Sequence, residues 1–337
     1  MSSATARAEL LADAGAAAES AEFFRSRPFL DAEGVSHTLR IDLGNTELLA
    51  PLIVREIPNA DALDAISPYG YPGLAVKSSA SEGSRGEPLR SLPAVAPEGL
   101  PPTPPLDPQK TDFSPTGLVS VFLRHTLGEP PLSSAAERNV VQIADPDLPP
   151  KSRSSDRNRI NKNRRAGYEV ELLRGPETSA EQRAGFLAAY EETMRRTEAG
   201  ERYFFGAVYF DRILESERAW LALAHAPGGG VAAASITVRS DGFLHYYLSG
   251  SADAHLRDSP MKNVVAALAE LSAEQGLPLN LGGGISPGDP LEEFKRGFAN
   301  REQPWCTSEI VCDRRAYDRL SAGNTAAGFF PAYRAPR

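Results

Sequence analysis

The residues of this chain best suited to chemistry lie between Leu279 and Phe298, in LNLGGGISPGDPLEEFKRGF. A triple glycine, Gly282, Gly283 and Gly284, is followed by a turn, a helix start and a lysine, Lys295. Consecutive glycines let a backbone take positive φ angles or approach a ligand closely. Asp289 can cap a helix that begins at Pro290, and Glu292, three residues after the cap, has capping-box spacing. The pattern predicts Phe294 and Lys295 in the first turns of that helix. The helix dipole favours negative charge at that end, so a cation there needs another reason, and an anionic partner at an acyl-transfer site supplies one. The competing reading is a surface salt bridge from Lys295 to Glu292 or Glu293.

Several elements must position these residues. Leu279, Asn280 and Leu281 read as a short strand leading into the glycines. Upstream, AWLALAHA, VAAASITVRS and GFLHYYLSGS read as three consecutive antiparallel strands joined by short turns. SAEQRAGFLAAYEETMRR, Ser179 to Arg196, has Phe186, Leu187, Tyr190 and Met194 at helical spacing, with Ser179 or Thr178 as cap. FFGAVYFDRIL, Phe204 to Leu214, either lines a pocket for an acyl or aminoacyl group or packs in the core. His245, within FLHYYL, is a candidate general base or a structural strand histidine.

The basic residues cluster once. Lys151, Arg153, Arg157, Arg159, Lys162, Arg164 and Arg165 face a single acid, Asp156. Helical spacing puts Arg157, Asn161 and Arg164 on one face, with Arg153 and Ile160 close by, where cations can meet a phosphate-bearing partner or simply meet water. The segment before Val264 reads HLRDSPMKN, with Ser259 as cap and Pro260 at the first turn, and no glycine occurs between Gly250 and Gly276. A pyrophosphate usually rests on the amides of a glycine-rich turn at a helix N-terminus, and proline removes a donor. The sequence therefore disfavours coenzyme A as cofactor. The five histidines show no metal-ligand spacing, and Cys306 and Cys312 match neither a zinc pattern nor a CxxC motif, so no metal is expected.

In the first half, HTLRIDLG (His37 to Gly44) and LLAPLIVREI (Leu48 to Ile57) read as a hairpin, and GLVSVFLRH and NVVQIAD as further strands. The Ala- and Glu-rich residues before Phe29 read as an exposed helix. Composition between Lys77 and Asp112 shifts to Ser, Gly, Glu and Pro, which predicts a mobile insertion. A chain of 337 residues with 41% hydrophobic content suffices for two domains. The divisions expected are an extension over 1–27, a first domain over 28–148 with the insertion at 77–112, a second over 149–320 and a tail over 321–337. A net charge of -8 excludes a surface coated for nucleic acid, though not a local basic stripe. No signal peptide or membrane span is visible, so no membrane partner and a cytoplasmic location are expected.

The late segment LGGGISPGDPLEEFKRGF resembles a motif of the Fem-like aminoacyltransferases, a branch of the GNAT superfamily that takes amino acids from aminoacyl-tRNA. SPYGYPG (Ser67 to Gly73), RNRINKNRRAGYEVE (Arg157 to Glu171), FLHYYLSGS and SPMKNVV resemble further family segments in the same order. The resemblance implies an α+β fold of two tandem GNAT-like domains, each a mixed, mostly antiparallel sheet flanked by helices. It implies an aminoacyl-tRNA co-substrate held by its 3' end at Arg157, Asn161 and Arg164, and a small-molecule or peptide acceptor from a specialised-metabolite pathway. Lys295 would be catalytic, with Phe294, Tyr69, Tyr71, Tyr246, Gly283 and Gly284 binding substrate, the two first-domain tyrosines lining an acceptor cleft between the domains. The alternatives are an acyl-CoA-dependent N-acyltransferase, an aminoacyltransferase acting on peptidoglycan precursors, and a non-catalytic binding module.

Overall fold

The computed structural model describes residues 6–17, 22–44, 46–78, 90–91, 106–128, 132, 135–322, 324 and 328–335. Strand β1 (Ala6–Leu11) stands where the Ala- and Glu-rich composition predicts a helix. Ala8 and Leu10 alternate with Arg7 and Glu9, and this period of two puts Ala8 in the core while β1 pairs antiparallel with β2. Burial of one face of a paired strand outweighs helix propensity here.

The chain divides into two units, 1–138 with 305–337, and 139–304. The first contains β1, α1 (Arg27–Ala32), β2 (His37–Asp42), β3 (Thr46–Glu56), β4 (Leu63–Ile66), β5 (Ala75–Ser78), β6 (Arg90–Ser91), β7 (Thr111–Asp112) and β8 (Leu118–Arg124). The expected hairpin is β2–β3. Pro51, which cannot donate to a ladder, falls in the gap where β3 has stopped pairing with β5 at Leu49 and not yet begun with β4 at Ile53. Strands β1, β2, β3 and β4 follow one another antiparallel, and β4 pairs parallel with β8 over a core of Leu39, Ile41, Leu52, Leu118 and Val121. The insertion expected over 77–112 falls largely outside the described residues.

Strand β9 (Ala135–Ala144) carries the chain into the second unit, which holds α2 (Ser154–Ala166), β10 (Glu169–Arg174), α3 (Ala180–Arg196), α4 (Ala207–Leu214), β11 (Ala219–His225), β12 (Val231–Ser240), β13 (Phe243–Ser251), α5 (Met261–Gln275), β14 (Leu279–Gly282) and α6 (Pro290–Arg296). Strands β11 to β13 form the expected antiparallel meander, and β10 pairs antiparallel with β11. Strand β13 then pairs parallel with β14, which pairs antiparallel with β9. Helices α2 and α5 cover one sheet face through Ile160, Val264 and Leu268 against Ala222, Ala233, Leu244 and Leu279. Helix α3, capped by Ser179 with Gln182 completing a capping box, lies against the other face, where a Cβ on Gly250 would stand 2.4 Å from the Ala189 carbonyl.

Strand β15 (Arg301–Val311) returns the chain to the first unit, followed by α7 (Arg314–Ser321). The expected boundary at 320 and the separate tail are therefore corrected. Thr307 to Val311 pair antiparallel with Ser120 to Arg124, and from the tail Tyr333 and Arg334 bond the fully buried Asp64 carboxylate. Contacts so distant in sequence leave no local signal.

Candidate active site around Lys295

Lys295 is 8% exposed, and its ammonium Nζ donates to the Gly283 carbonyl at 2.7 Å. It lies in the last turn of α6, because that helix has only seven residues and ends before Gly297. The expectation that the dipole opposes this lysine is therefore corrected, since the first turns of so short a helix are also its last and the C-terminal turn favours a cation. The surface salt bridge to Glu292 or Glu293 is absent too: among the described residues no carboxylate pairs with Lys295, while Arg296 engages Glu292, Glu293 and Glu302. Burial pushes the Lys295 ammonium down to about 8, against a smaller opposing pull from Asp289.

Close approach explains each glycine. Gly282 has φ of 78°, and a Cβ there would lie 3.1 Å from Lys295 Nζ. A Cβ on Gly283 would come within 2.4 Å of the Asn139 side chain, and one on Gly284 within 2.6 Å of Asp289 Oδ1. Asn139 Nδ2 donates to the Gly284 carbonyl at 3.0 Å. Asp289 caps α6 as expected, accepting from Glu292 N at 2.7 Å, and also accepts from Ile285 N and Ser286 N, which lowers its pKa. The capping box is incomplete: Glu292 Oε2 accepts from Gly288 N, because the Asp289 amide is already bonded to the Ser286 carbonyl.

His245 and Asn280 lie beneath this loop, each 1% exposed. His245 Nε2 lies 3.1 Å from the Ser240 carbonyl, which can only accept, so Nε2 carries the proton. His245 Nδ1 then accepts from Asn280 Nδ2 at 3.1 Å, and Asn280 Oδ1 accepts from Gly282 N at 2.8 Å. Burial pushes the imidazole down to about 4, so it is neutral at pH 7. With both ring nitrogens engaged, His245 is a structural residue and not a general base. Asn280 and Asn139 were not among the candidates; a polar residue flanked by Leu279 and Leu281 in a buried strand was the available signal, since such a group needs a partner.

The other candidates are spread out. Tyr246 sits on β13 against the core shared by α2 and α5, its phenol pushed up to about 12 by burial, with the Ser249 hydroxyl nearby. Strand β13 pairs with β14 only at Leu244 and His245, so Tyr246 begins the stretch of β13 that runs on beyond that pairing. Phe294 packs on the same core and meets Phe298 at 5.6 Å. In the first unit, Tyr69 N donates to Glu33 Oε2 at 2.8 Å, and the Tyr71 ring meets Phe24 and Trp305. Within the Phe204 to Leu214 segment, Phe210 packs on Phe186 and Tyr190 as core, while Phe204 is exposed.

Residues 150–296 match the family described as Acetyltransferase (GNAT) domain. FemX is similar in structure, with a TM-score of 0.56 at 10% identity, covering 87% of this chain and 93% of that one. L-PGS from Bacillus licheniformis has a TM-score of 0.50 at 14% identity, covering 80% of this chain and 82% of that one. The chain has a Fem-like fold, and its residues 150–296 are similar to the GNAT-type acyltransferase domain. No curated protein matches its sequence.

At the mouth of α5, within the matched residues, Pro260 is the N-cap without a side-chain bond, and Ser259, expected as cap, instead ends the preceding 3-10 turn with φ of 52°. The amides of Lys262 and Asn263 are bonded to the Ser259 and Pro260 carbonyls. On α2, Arg157, Asn161 and Arg164 are exposed while Asp156, Asn163 and Ile160, the last expected close to those three, are buried. The unopposed positive charge is corrected. Arg153 pairs with Glu293 at 2.9 Å, Arg159 with Asp258 at 3.8 Å and Arg164 with Glu270 at 3.4 Å, and Asp156 pairs with Lys262 at 2.7 Å. Among the described residues, no helix is long and apolar enough to cross a membrane.

Proposed function

We propose that this protein moves an amino acid from aminoacyl-tRNA to a nitrogen nucleophile of a small-molecule or peptide acceptor, in specialised-metabolite biosynthesis. The buried Lys295, bonded to Gly283 and without a carboxylate partner among the described residues, carries the reading. The acceptor amine attacks the ester carbonyl, the C–N bond forms, the C–O bond to the ribose breaks, and the amine proton passes to the departing oxygen. Orienting the amine against the carbonyl supplies much of the rate, and the Lys295 ammonium stabilises the oxyanion or the departing oxygen. Phe294, Tyr246, Gly283 and Gly284 shape the substrate site of the GNAT domain, and Tyr69 and Tyr71 contact the acceptor. The exposed Arg157, Asn161 and Arg164 grip the tRNA end.

The acetyltransferase description suggests a second reading, an acyl-CoA donor. The residues at the mouth of α5 do not fit a pyrophosphate cradle of the usual kind: Pro260 has no amide proton, and the amides of Lys262 and Asn263 are committed to nearby carbonyls. This favours a donor that needs no cradle. The deciding experiment incubates the protein with pooled radiolabelled aminoacyl-tRNAs and follows loss of label from tRNA, with and without cell extract as acceptor source. Acceptor-dependent loss of one amino acid is the expected result. No loss with any amino acid, together with saturable binding of coenzyme A, overturns it in favour of the second reading; no loss and no such binding leaves a binding module.

A further inference from the structure

The chain of bonds beneath the glycine loop runs in one direction. Ser240 offers only a carbonyl, so His245 must donate through Nε2 and accept through Nδ1. That orients the Asn280 amide with Nδ2 towards the ring and Oδ1 towards Gly282 N. Gly282 then holds its positive φ, and the next residue presents the carbonyl on which Lys295 Nζ rests. All four hydrogen bonds lie within the unit 139–304, and these bonds lead from His245 and Asn280 to Lys295 through the Gly282–Gly283 backbone. We propose that Asn280, oriented by His245, is a positioning residue that sets the Gly282–Gly283 backbone and thereby the place of the Lys295 ammonium.

The alternatives for Asn280 are weaker on geometry. A buried asparagine that only filled space in β14 would be an expensive substitute for leucine, its neighbour on both sides, because an unmatched buried amide costs about 1–3 kcal/mol. Both its side-chain polar atoms are bonded, and one of these bonds falls on the residue where the strand breaks into the loop. Among the described charged groups, Asp289 acts on Lys295 through space, while Glu292 and Glu293 are engaged by Arg296.

The kinetic part of the test rests on the proposed aminoacyl transfer, so a second readout independent of activity is needed. Protein labelled with 13C and 15N lysine is titrated and the Lys295 side-chain resonances followed, assigned by their absence in Lys295→Met. In Asn280→Ala the Lys295 midpoint should rise by about one pH unit or more as the ammonium leaves its buried carbonyl for water. In His245→Gln, whose amide can both accept from Asn280 and donate to Ser240, the shift should be smaller. Turnover of Asn280→Ala should fall at least about tenfold with little change in KM, as misplacement of a charge-stabilising group predicts. An unchanged Lys295 midpoint in a folded Asn280→Ala protein overturns the inference. If Asn280→Ala does not fold, a full-sized shift in folded His245→Leu supports the inference and an unchanged midpoint there overturns it. Absence of aminoacyl transfer in the wild type would instead count against the proposed function, and the titration would still decide the role of Asn280.

Discussion

At the scale of single residues, Lys295 joins function to instability. Its folded-state pKa of about 8 lies below the usual 10.5, so below pH 8 the native state carries a cation that burial penalises. Lys295→Met should abolish acyl transfer yet raise unfolding free energy at pH 7 by roughly 1–3 kcal/mol, after the lost bond to Gly283 is offset. Urea unfolding of both proteins measures this, and a destabilised Met variant would contradict it. Because the charge-stabilising form is the ammonium, wild-type kcat/KM should decline as pH rises through about 8; a rise there would mark Lys295 as a base instead. His245 has the same sign of shift, down to about 4 from 6.5. The unfolded chain binds its proton first as pH drops, so stability is full above pH 6.5 and is lost between there and about pH 4, by up to roughly 3 kcal/mol. Stability curves of wild type and His245→Gln over that window should diverge, the variant losing less.

At the scale of elements, periodicity and caps were readable. The meander β11–β13, the Ser179 cap of α3 and the Asp289 cap of α6 all stand where short-range patterns put them. What local pattern could not supply was where each helix ends and which acids approach it. Helix α6 stops at Arg296, which puts Lys295 in its last turn, and α2 with its N-cap Arg153 meets Glu293, Asp258 and Glu270 from other parts of the chain. Packing of α3 on β13 offers a test at this scale. A methyl on Gly250 would meet backbone at Ala189 and Tyr190, which cannot rotate away, so Gly250→Ala should cost about 1–3 kcal/mol by overpacking, seen as a lower urea midpoint at unchanged slope.

At the scale of the whole chain, the first unit is closed by its two ends. Deleting residues 305–337 removes the partner of β8 and strips Tyr333 and Arg334 from the buried Asp64, so the first unit should lose its cooperative unfolding transition and become sensitive to protease. A transition that survives intact would show that β8 needs no such partner. The sequence by itself determined those features that depend on neighbours a few residues away: the hairpin, the meander, the capped helices and the lysine after three glycines. It also carried the family resemblance, which the fold bears out. Only the tertiary structure decided that β1 is a strand, that residues 305–337 return to the first unit, and that Lys295 is buried on a carbonyl held through Asn280 and His245. Each of these depends on groups from distant positions meeting in an interior where unmatched polar atoms are costly, and no local spacing records such a meeting.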